Sequence, residues 1–301
     1  MTLRPPEDGD FDAMLELMNA HQLAAFGEAD VTEDELRTWL TTPYVVAERD
    51  IRLLEYDGRL VGYVDVDPNK DDPPLWWCDL KLAPDVDAEA VVAELVGWLE
   101  ERAHAGTLRV WTSATDDRVI GVLEQLGFAP VRHSYRMEID FDGDEQEPAW
   151  PDEISVRTLA DGEERRVYDA FFEVWQDTSD PPDETFEEWA HWFTRAETFE
   201  PSLWFLALAG EELAGFSVCR KDLNDSKAGH VELLGVRRSW RKQGLGLALL
   251  LHSFRALRQR GWTRGTLGVD ASSPTGATRL YERAGMRVYR DTVILDRPRR
   301  G

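Results

Sequence analysis

Arg241, Gly244 and Gly246 stand in the run Arg241-Lys242-Gln243-Gly244-Leu245-Gly246, which follows an apolar, strand-like stretch from His230 to Val236. The segment after it carries Leu247, Leu250, Leu251, Phe254 and Leu257 on one face, sets Arg258 and Arg260 in its last turn and meets Gly261. That is the pattern of an amphipathic helix with a defined stop. A loop so placed ends at a helix N-terminus, where unpaired backbone N–H groups and the positive end of the dipole attract an anion. Glycines there remove the Cβ atoms that would hold a diphosphate off the main chain, and Arg241 adds a charge-assisted contact. The chemistry on offer is the gripping of a phosphorylated ligand. A second group of residues, Trp175, Asp177, Asp180, Asp183, Trp189, Trp192 and Phe193, mixes aromatic rings with carboxylates. Such a wall suits a cationic amine, although indoles at helical spacing also serve as core.

The elements that must position these residues belong to a chain that reads as two copies of one pattern. At 301 residues it has room for two domains of the usual size, and the acidic, proline-containing segment Phe141 to Glu153 interrupts the apolar periodicity near the middle. The division expected is therefore 1–141, a linker at 142–152, and 153–301. Each half opens with a short strand, Leu3-Arg4 or Ile154 to Arg157, passes through an amphipathic helical stretch and reaches a strand pair about a turn. The turns are Asp57-Gly58 and Gly210-Glu211. Near the ends, Val122 to Phe128 lines up with Leu280 to Met286, and each run is followed by a late strand. Alternating strands and helices place both halves in the mixed α/β class.

With these residues set out, the loop Arg241 to Gly246 resembles the R/Q-x-x-G-x-G/A motif of the GNAT acetyltransferases, and Val269 to Met286 is similar to that family's closing motif. Ser273 stands where the family commonly has Asn, and Met286 where it has Phe. The resemblance implies two tandem GNAT (acyl-CoA N-acyltransferase) domains that use acetyl-CoA, with no metal. It implies cofactor contacts from Leu234, Val236, Arg241, Lys242, Gln243, Gly244, Leu245, Gly246, Leu247 and Ser273. By the same resemblance Glu232 lies on the strand flanking the thioester and is a base, Tyr281 is the general acid, and a bulge around Leu234 to Val236 presents a backbone N–H to the thioester carbonyl. His230, two residues from Glu232, or a water chain could take the base's role instead. Trp175 and Asp177 become the substrate wall. A protonated alkyl amine has a pKa of about 10.4, so only about one molecule in 10³ is nucleophilic at pH 7 and a base is useful. Direct attack on the thioester in a ternary complex is expected, since neither cysteine lies near a motif.

Laid without gaps on the first half, Arg241 falls on Asp87, Gly244 on Ala90, Gly246 on Val92 and Glu232 on Cys78, and in the matched end runs Leu123 takes the place of Tyr281. The first domain is accordingly expected not to bind CoA. Among tandem members of the family, the mycothiol synthases acetylate the amine of a sugar-linked cysteine and keep a first copy that resembles an intact acetyl-CoA site. A mycothiol-synthase-like acceptor, or a non-catalytic acyl-CoA-sensing module, are the alternatives to acetylation of a small-molecule primary amine.

Composition narrows the partners. Acidic residues outnumber basic ones 58 to 34, and a net charge of -24 repels phosphate backbones and anionic membrane surfaces, so neither nucleic acid nor membrane is an expected partner. No stretch approaches the ~20 apolar residues of a membrane span, and the start is not that of an export signal. Cys78 and Cys219 have neither metal-ligand spacing nor a disulfide framework, which fits a reducing cytoplasm. A monomer or homodimer is expected.

Overall fold

The computed structural model describes residues 1–298 apart from positions 30, 43, 68–72, 144–145, 179–180, 195–198, 224 and 274–275. It gathers into two compact units: Met1–Ser134 joined by the last segment from Arg290, and Tyr135–Tyr289. The first runs through β1 (Thr2–Arg4), α1 (Phe11–Phe26), α2 (Glu33–Leu40), α3 (Ala47–Asp50), β2 (Ile51–Tyr56), β3 (Arg59–Asp67), β4 (Leu75–Leu82), α4 (Ala88–Arg102), β5 (Thr107–Ser113) and α5 (Asp117–Gln125). β6 (Ala129–Asp140) carries the chain into the second unit. There follow β7 (Ile154–Thr158), α6 (Glu164–Trp175), α7 (Phe186–Thr194), β8 (Trp204–Ala209), β9 (Glu212–Lys221), β10 (Ala228–Val236), α8 (Leu245–Gln259), β11 (Arg264–Asp270) and α9 (Ala277–Arg283). β12 (Arg287–Pro298) ends the described chain.

In the first unit the strand order is β1-β2-β3-β4-β5-β12, antiparallel except for the parallel pair β4 and β5. In the second the order is β7-β8-β9-β10-β11-β6, with β10 and β11 parallel. The β2–β3 hairpin turns on Asp57 and Gly58, both with positive φ (52° and 74°), as a two-residue turn between twisted strands requires. Residues 142–152 hold no helix or strand among those described, yet the packing changes unit earlier, between Ser134 and Tyr135, and again at Arg290. The reason is an exchange of closing strands, which no periodicity reveals. The end of β6 belongs to the second unit, and β12 returns to pair with β5 from Thr292↔Ser113 to Pro298↔Thr107.

Each unit buries its sheet from both faces. In the second, one core is built on α8, with Leu245, Leu249, Leu250, Leu251, Phe254 and Leu257 against Phe205, Val231 and Leu267. The other is aromatic: Phe171, Trp189, Trp204 and Phe216 pack α6 and α7 on the opposite face. The strand and the helix on either side of the loop, β10 and α8, are thus held by apolar burial, and the loop between them is free to do chemistry.

Candidate active site

The site is built where β10 parts from β11. Against β9 its register runs Val231↔Cys219 and then Leu233↔Val218, so Glu232 is the extra residue of a β-bulge. The bulge expected around Leu234 to Val236 therefore lies earlier, at Glu232 itself. On the other edge β10 runs parallel to β11 only from Ala228↔Arg264 to Val231↔Leu267, although the strands continue to Val236 and Asp270. Beyond Val231 they part. Main-chain groups of the stretch that contains Leu234 and Val236 consequently have no β11 partner among the described residues, and an extended ligand can pair with them.

After Val236 a single 3-10 turn, Arg238–Trp240, leads to Arg241, to Lys242 at φ 61° and to Gly244 at φ 85°. Gly244 is the N-cap of α8, and no side chain caps the helix. The first N–H groups of α8, at Leu245, Gly246 and Leu247, are therefore available to an anion. A Cβ on Gly244 would meet nothing within 4 Å, so glycine is needed there for its left-handed backbone rather than for space. A Cβ on Gly246 would come within 3.1 Å of Leu280 Cδ1. Lys242 and Gln243 are exposed, and Gln243 Nε2 donates to Ser239 O at 3.2 Å.

Arg241 donates from Nε to Val236 O (3.0 Å) and from Nη1 to Asp177 Oδ2 (2.6 Å), while its Nη2 is buried without a hydrogen-bond partner. Arg238 grips the same carboxylate from Nε (3.0 Å) and Nη2 (2.6 Å). Hydrogen bonds from Arg238 and then Arg241 hold the Asp177 carboxyl far below the usual range. Asp177, expected on the substrate wall, is committed instead to the two loop arginines. Trp175 packs at a tilt on Phe171 (4.7 Å between centroids) and stacks on Phe216 (6.3 Å), and Trp189 is fully buried, so these indoles are largely core. Asp180 lies outside the described residues.

Glu232 Oε2 accepts a hydrogen bond from Arg220 Nε at 2.6 Å. Burial raises its pKa, but Arg220, then His230 and Arg136, bring it below the ordinary carboxylate value. His230 is buried and pulled down to about 4, chiefly by desolvation. Its Nε2 lies 3.6 Å from Glu232 Oε2 and its Nδ1 2.7 Å from Thr266 Oγ1. Arg220, Thr266 and Arg238 escaped the sequence reading. The one signal for Arg220 was a charge following the apolar run Phe216 to Cys219, and for Arg238 its three-residue spacing from Arg241. Tyr281, on α9, is buried in the α8 core, and burial pushes its phenol up to about 12. Its hydroxyl makes no hydrogen bond among the described residues, so its proton is free to be donated. Ser273 lies between β11 and α9, its N–H donating to Asp270 O (3.0 Å); Pro274 lies outside the described residues. No group of three or more His, Cys, Asp and Glu able to hold a metal ion occurs among the described residues, and no helix among them is long and apolar enough to cross a membrane.

A crystal structure of a GCN5-related N-acetyltransferase from Sphaerobacter thermophilus is 30% identical and superposes with a TM-score of 0.81, covering 100% of this chain and 96% of that one. The chain belongs to the GNAT family. The family model of acetyltransferases (GNAT) matches residues 165–286, which hold the loop, Glu232 and Tyr281. A tandem GNAT protein from the clavulanic acid biosynthesis pathway shares the fold at a TM-score of 0.76 and 17% identity, over 99% of this chain and 98% of that one. Mycothiol acetyltransferases are 29% identical, one from Streptomyces scabiei over 80% of this chain and 78% of its own length, another from Nocardia farcinica over 91% and 89%. The protein is thus a tandem GNAT acetyltransferase, distantly similar to mycothiol synthase. The GNAT fold implies acetyl-CoA, and the second unit fits it: an uncapped helix N-terminus, a buried unpaired donor on Arg241 and a strand pair that opens.

The first GNAT unit differs at the helix N-terminus and in the strand before it, though not by the ungapped correspondence. Five residues, 83–87, separate β4 from α4, whereas eight, 237–244, separate β10 from α8. Helix starts align Asp87 with Gly244, not with Arg241. Asp87 caps α4 with its own carboxylate, which accepts from Glu89 N–H at 3.0 Å. β4 has no bulge against β3, so Cys78 corresponds to Val231, and Glu232 has no counterpart. β4 and β5 also part after Cys78↔Val110, but Lys81, paired to Asp79 (2.7 Å), lies across there over the Trp111 ring at 3.9 Å.

Proposed function

We propose that the second unit transfers the acetyl group of acetyl-CoA to a primary amine of a small molecule by direct attack within a ternary complex, and that the first unit binds no CoA. The observation that carries this reading is the contrast between two helix N-termini in one chain: α8 uncapped beside a buried, unsatisfied arginine nitrogen, α4 closed by Asp87. Leu234, Val236, the loop from Arg241 to Leu247 and Ser273 would hold the cofactor, which supplies the thioester. Glu232 takes the proton from the amine, and Tyr281 donates one to the departing sulfur. Cys219, buried and with its thiol pushed up to about 11 by desolvation, is no nucleophile.

Calorimetric titration with acetyl-CoA tests this. One site per chain is expected, abolished by Gly244→Val with Arg241→Asp; two sites would overturn the reading of the first unit, and none would overturn the cofactor site. Release of CoA with a panel of primary amines then identifies the acceptor. A cysteinyl amino sugar belongs in that panel, because relatives aligned over most of the chain are mycothiol acetyltransferases.

A further inference from the structure

His230, Thr266 and Asp222 form a buried polar file behind Glu232. His230 and Thr266 are register partners across β10 and β11, one position before the strands part, and His230 is also the partner of Arg220 on β9. The Thr266 hydroxyl donates to Asp222 Oδ2, which leaves Thr266 Oγ1 to accept from His230 Nδ1 at 2.7 Å. That order of donors fixes the neutral tautomer, with the proton on Nδ1 and the lone pair on Nε2. Nε2 looks at Glu232 Oε2 across 3.6 Å. Two acceptors facing each other beyond hydrogen-bond distance leave a place for one proton between them. An apolar column would hold three strands together without burying polar groups, so a file of this kind points to a task other than packing.

We propose that His230 is a positioning residue that offers the proton taken up by Glu232 a second seat, its orientation set by Thr266 and Asp222. The inference rests on Glu232 acting as the base. As the amine nitrogen bonds to the acyl carbon, its N–H bond breaks and the proton reaches the Glu232 carboxylate. It then passes to the lone pair of His230 Nε2, restoring the carboxylate, and leaves to solvent when the site turns over. The imidazolium is flanked by two carboxylates, Glu232 and Asp222, whose Oδ2 is 3.7 Å from Nδ1. The groups that face His230 are Glu232 on β10, Arg220 on β9, Arg136 on β6, Asp222 after β9 and Thr266 on β11. Burial and the arginines lower His230 to about 4, and Arg220 lowers Glu232 below its ordinary value, so both groups are unprotonated near neutral pH and open to the incoming proton.

The test combines ring-nitrogen NMR of His230 in the intact protein with the pH dependence of kcat/KM for the fastest amine of the panel. The Nδ1–H tautomer is expected, with a titration that moves on Glu232→Gln. His230→Asn keeps a donor near Thr266 and removes Nε2. It is expected to lower kcat at least tenfold, leave the Kd for acetyl-CoA unchanged and displace the acidic limb, because Glu232 and His230 face each other across 3.6 Å and titrate as a pair. Thr266→Val, which releases the ring, is expected to move the same limb. An Nε2–H tautomer, or a His230→Asn enzyme with wild-type kcat and limb, overturns the inference alone. Wild-type protein that acetylates no amine overturns the function on which it rests.

Discussion

Replacing Gly244 by alanine separates the loop's geometry from its space. Gly244 has φ 85°, a conformation that costs an L-residue about 1–2 kcal/mol. Its Cβ would meet nothing within 4 Å, so no clash adds to that cost. For a unit of this size about 1 kcal/mol corresponds to a melting shift of roughly 2–4 °C, and a fall of a few degrees is expected. Cofactor binding should suffer more. If residue 244 leaves the left-handed region, the first N–H groups of α8 swing off the diphosphate, and each hydrogen bond to a charged group is worth about 1.5–3 kcal/mol. The loss of one weakens binding by about 10- to 100-fold. Calorimetric titration with acetyl-CoA, beside a thermal melt, measures both. Gly246→Ala is the control, since its new Cβ presses only on the flexible end of Leu280, at 3.1 Å, and a smaller change in Kd is expected. Undiminished affinity in Gly244→Ala, or equal damage from Gly246→Ala, would refute the argument that the left-handed N-cap makes the anion site.

Tyr281→Phe should reduce kcat by about 10²- to 10³-fold with little change in melting temperature, because the hydroxyl has no partner among the described residues to lose. With the phenol pushed up to about 12, the wild-type rate should show no alkaline limb from this group below that pH; a tyrosine-dependent limb near neutrality would contradict the assignment. Asp177→Asn removes the anion that Arg238 and Arg241 share, and is expected to weaken acetyl-CoA binding by freeing Arg241; tighter binding would show that Asp177 competes with the phosphates. In the first unit, Leu82 N–H donates to His21 Nδ1 at 3.3 Å, and burial, with Lys81, pulls that imidazole down to about 3. The unfolded chain, with a histidine pKa of about 6.5, binds a proton that the folded one refuses between those values. This contribution to stability is whole above pH 6.5 or so and fades as pH falls toward 3. His21→Gln should flatten that slope in thermal melts at pH 7 and pH 4.5, and an unaltered slope would count against it.

The loop was legible because its chemistry is local: a strand, a bare backbone, an arginine and a helix start stand in consecutive residues. Both hairpins were legible for the same reason, since Asp57-Gly58 and Gly210 announce their turns. What escaped depends on residues far apart in the chain. Asp177 reads as an acid beside a tryptophan until the fold brings Arg238 and Arg241 to it from more than sixty positions away (|i−j| 61 and 64). The bulge at Glu232 is a property of how β10 registers with β9, and an ungapped comparison of the halves cannot see a one-residue insertion in a strand or a three-residue shortening in a loop. The exchange of closing strands is further beyond reach, because the pairing of β12 with β5 joins residues 292–298 to 107–113, and no local pattern names a partner that distant in the chain.

The same fold, built twice, isolates what an anion site requires. Both helices that follow the diverging strands span 15 residues and are anchored by buried apolar side chains, valines and leucines on α4 and leucines with Phe254 on α8. They differ in what occupies the N-terminus. On α4 the Asp87 carboxylate satisfies a main-chain donor and places a negative charge at the positive end of the dipole, which stabilises the helix and repels a phosphate. On α8 the N-cap is a glycine with no side chain to give, so the helix keeps its donors unsatisfied and its field uncompensated. A protein optimised only for stability would cap both. The uncapped terminus, with the buried Arg241 nitrogen beside it, is a cost to the ligand-free chain that a bound diphosphate removes, and on that ground cofactor binding should raise the melting temperature of the second unit and leave the first unaffected.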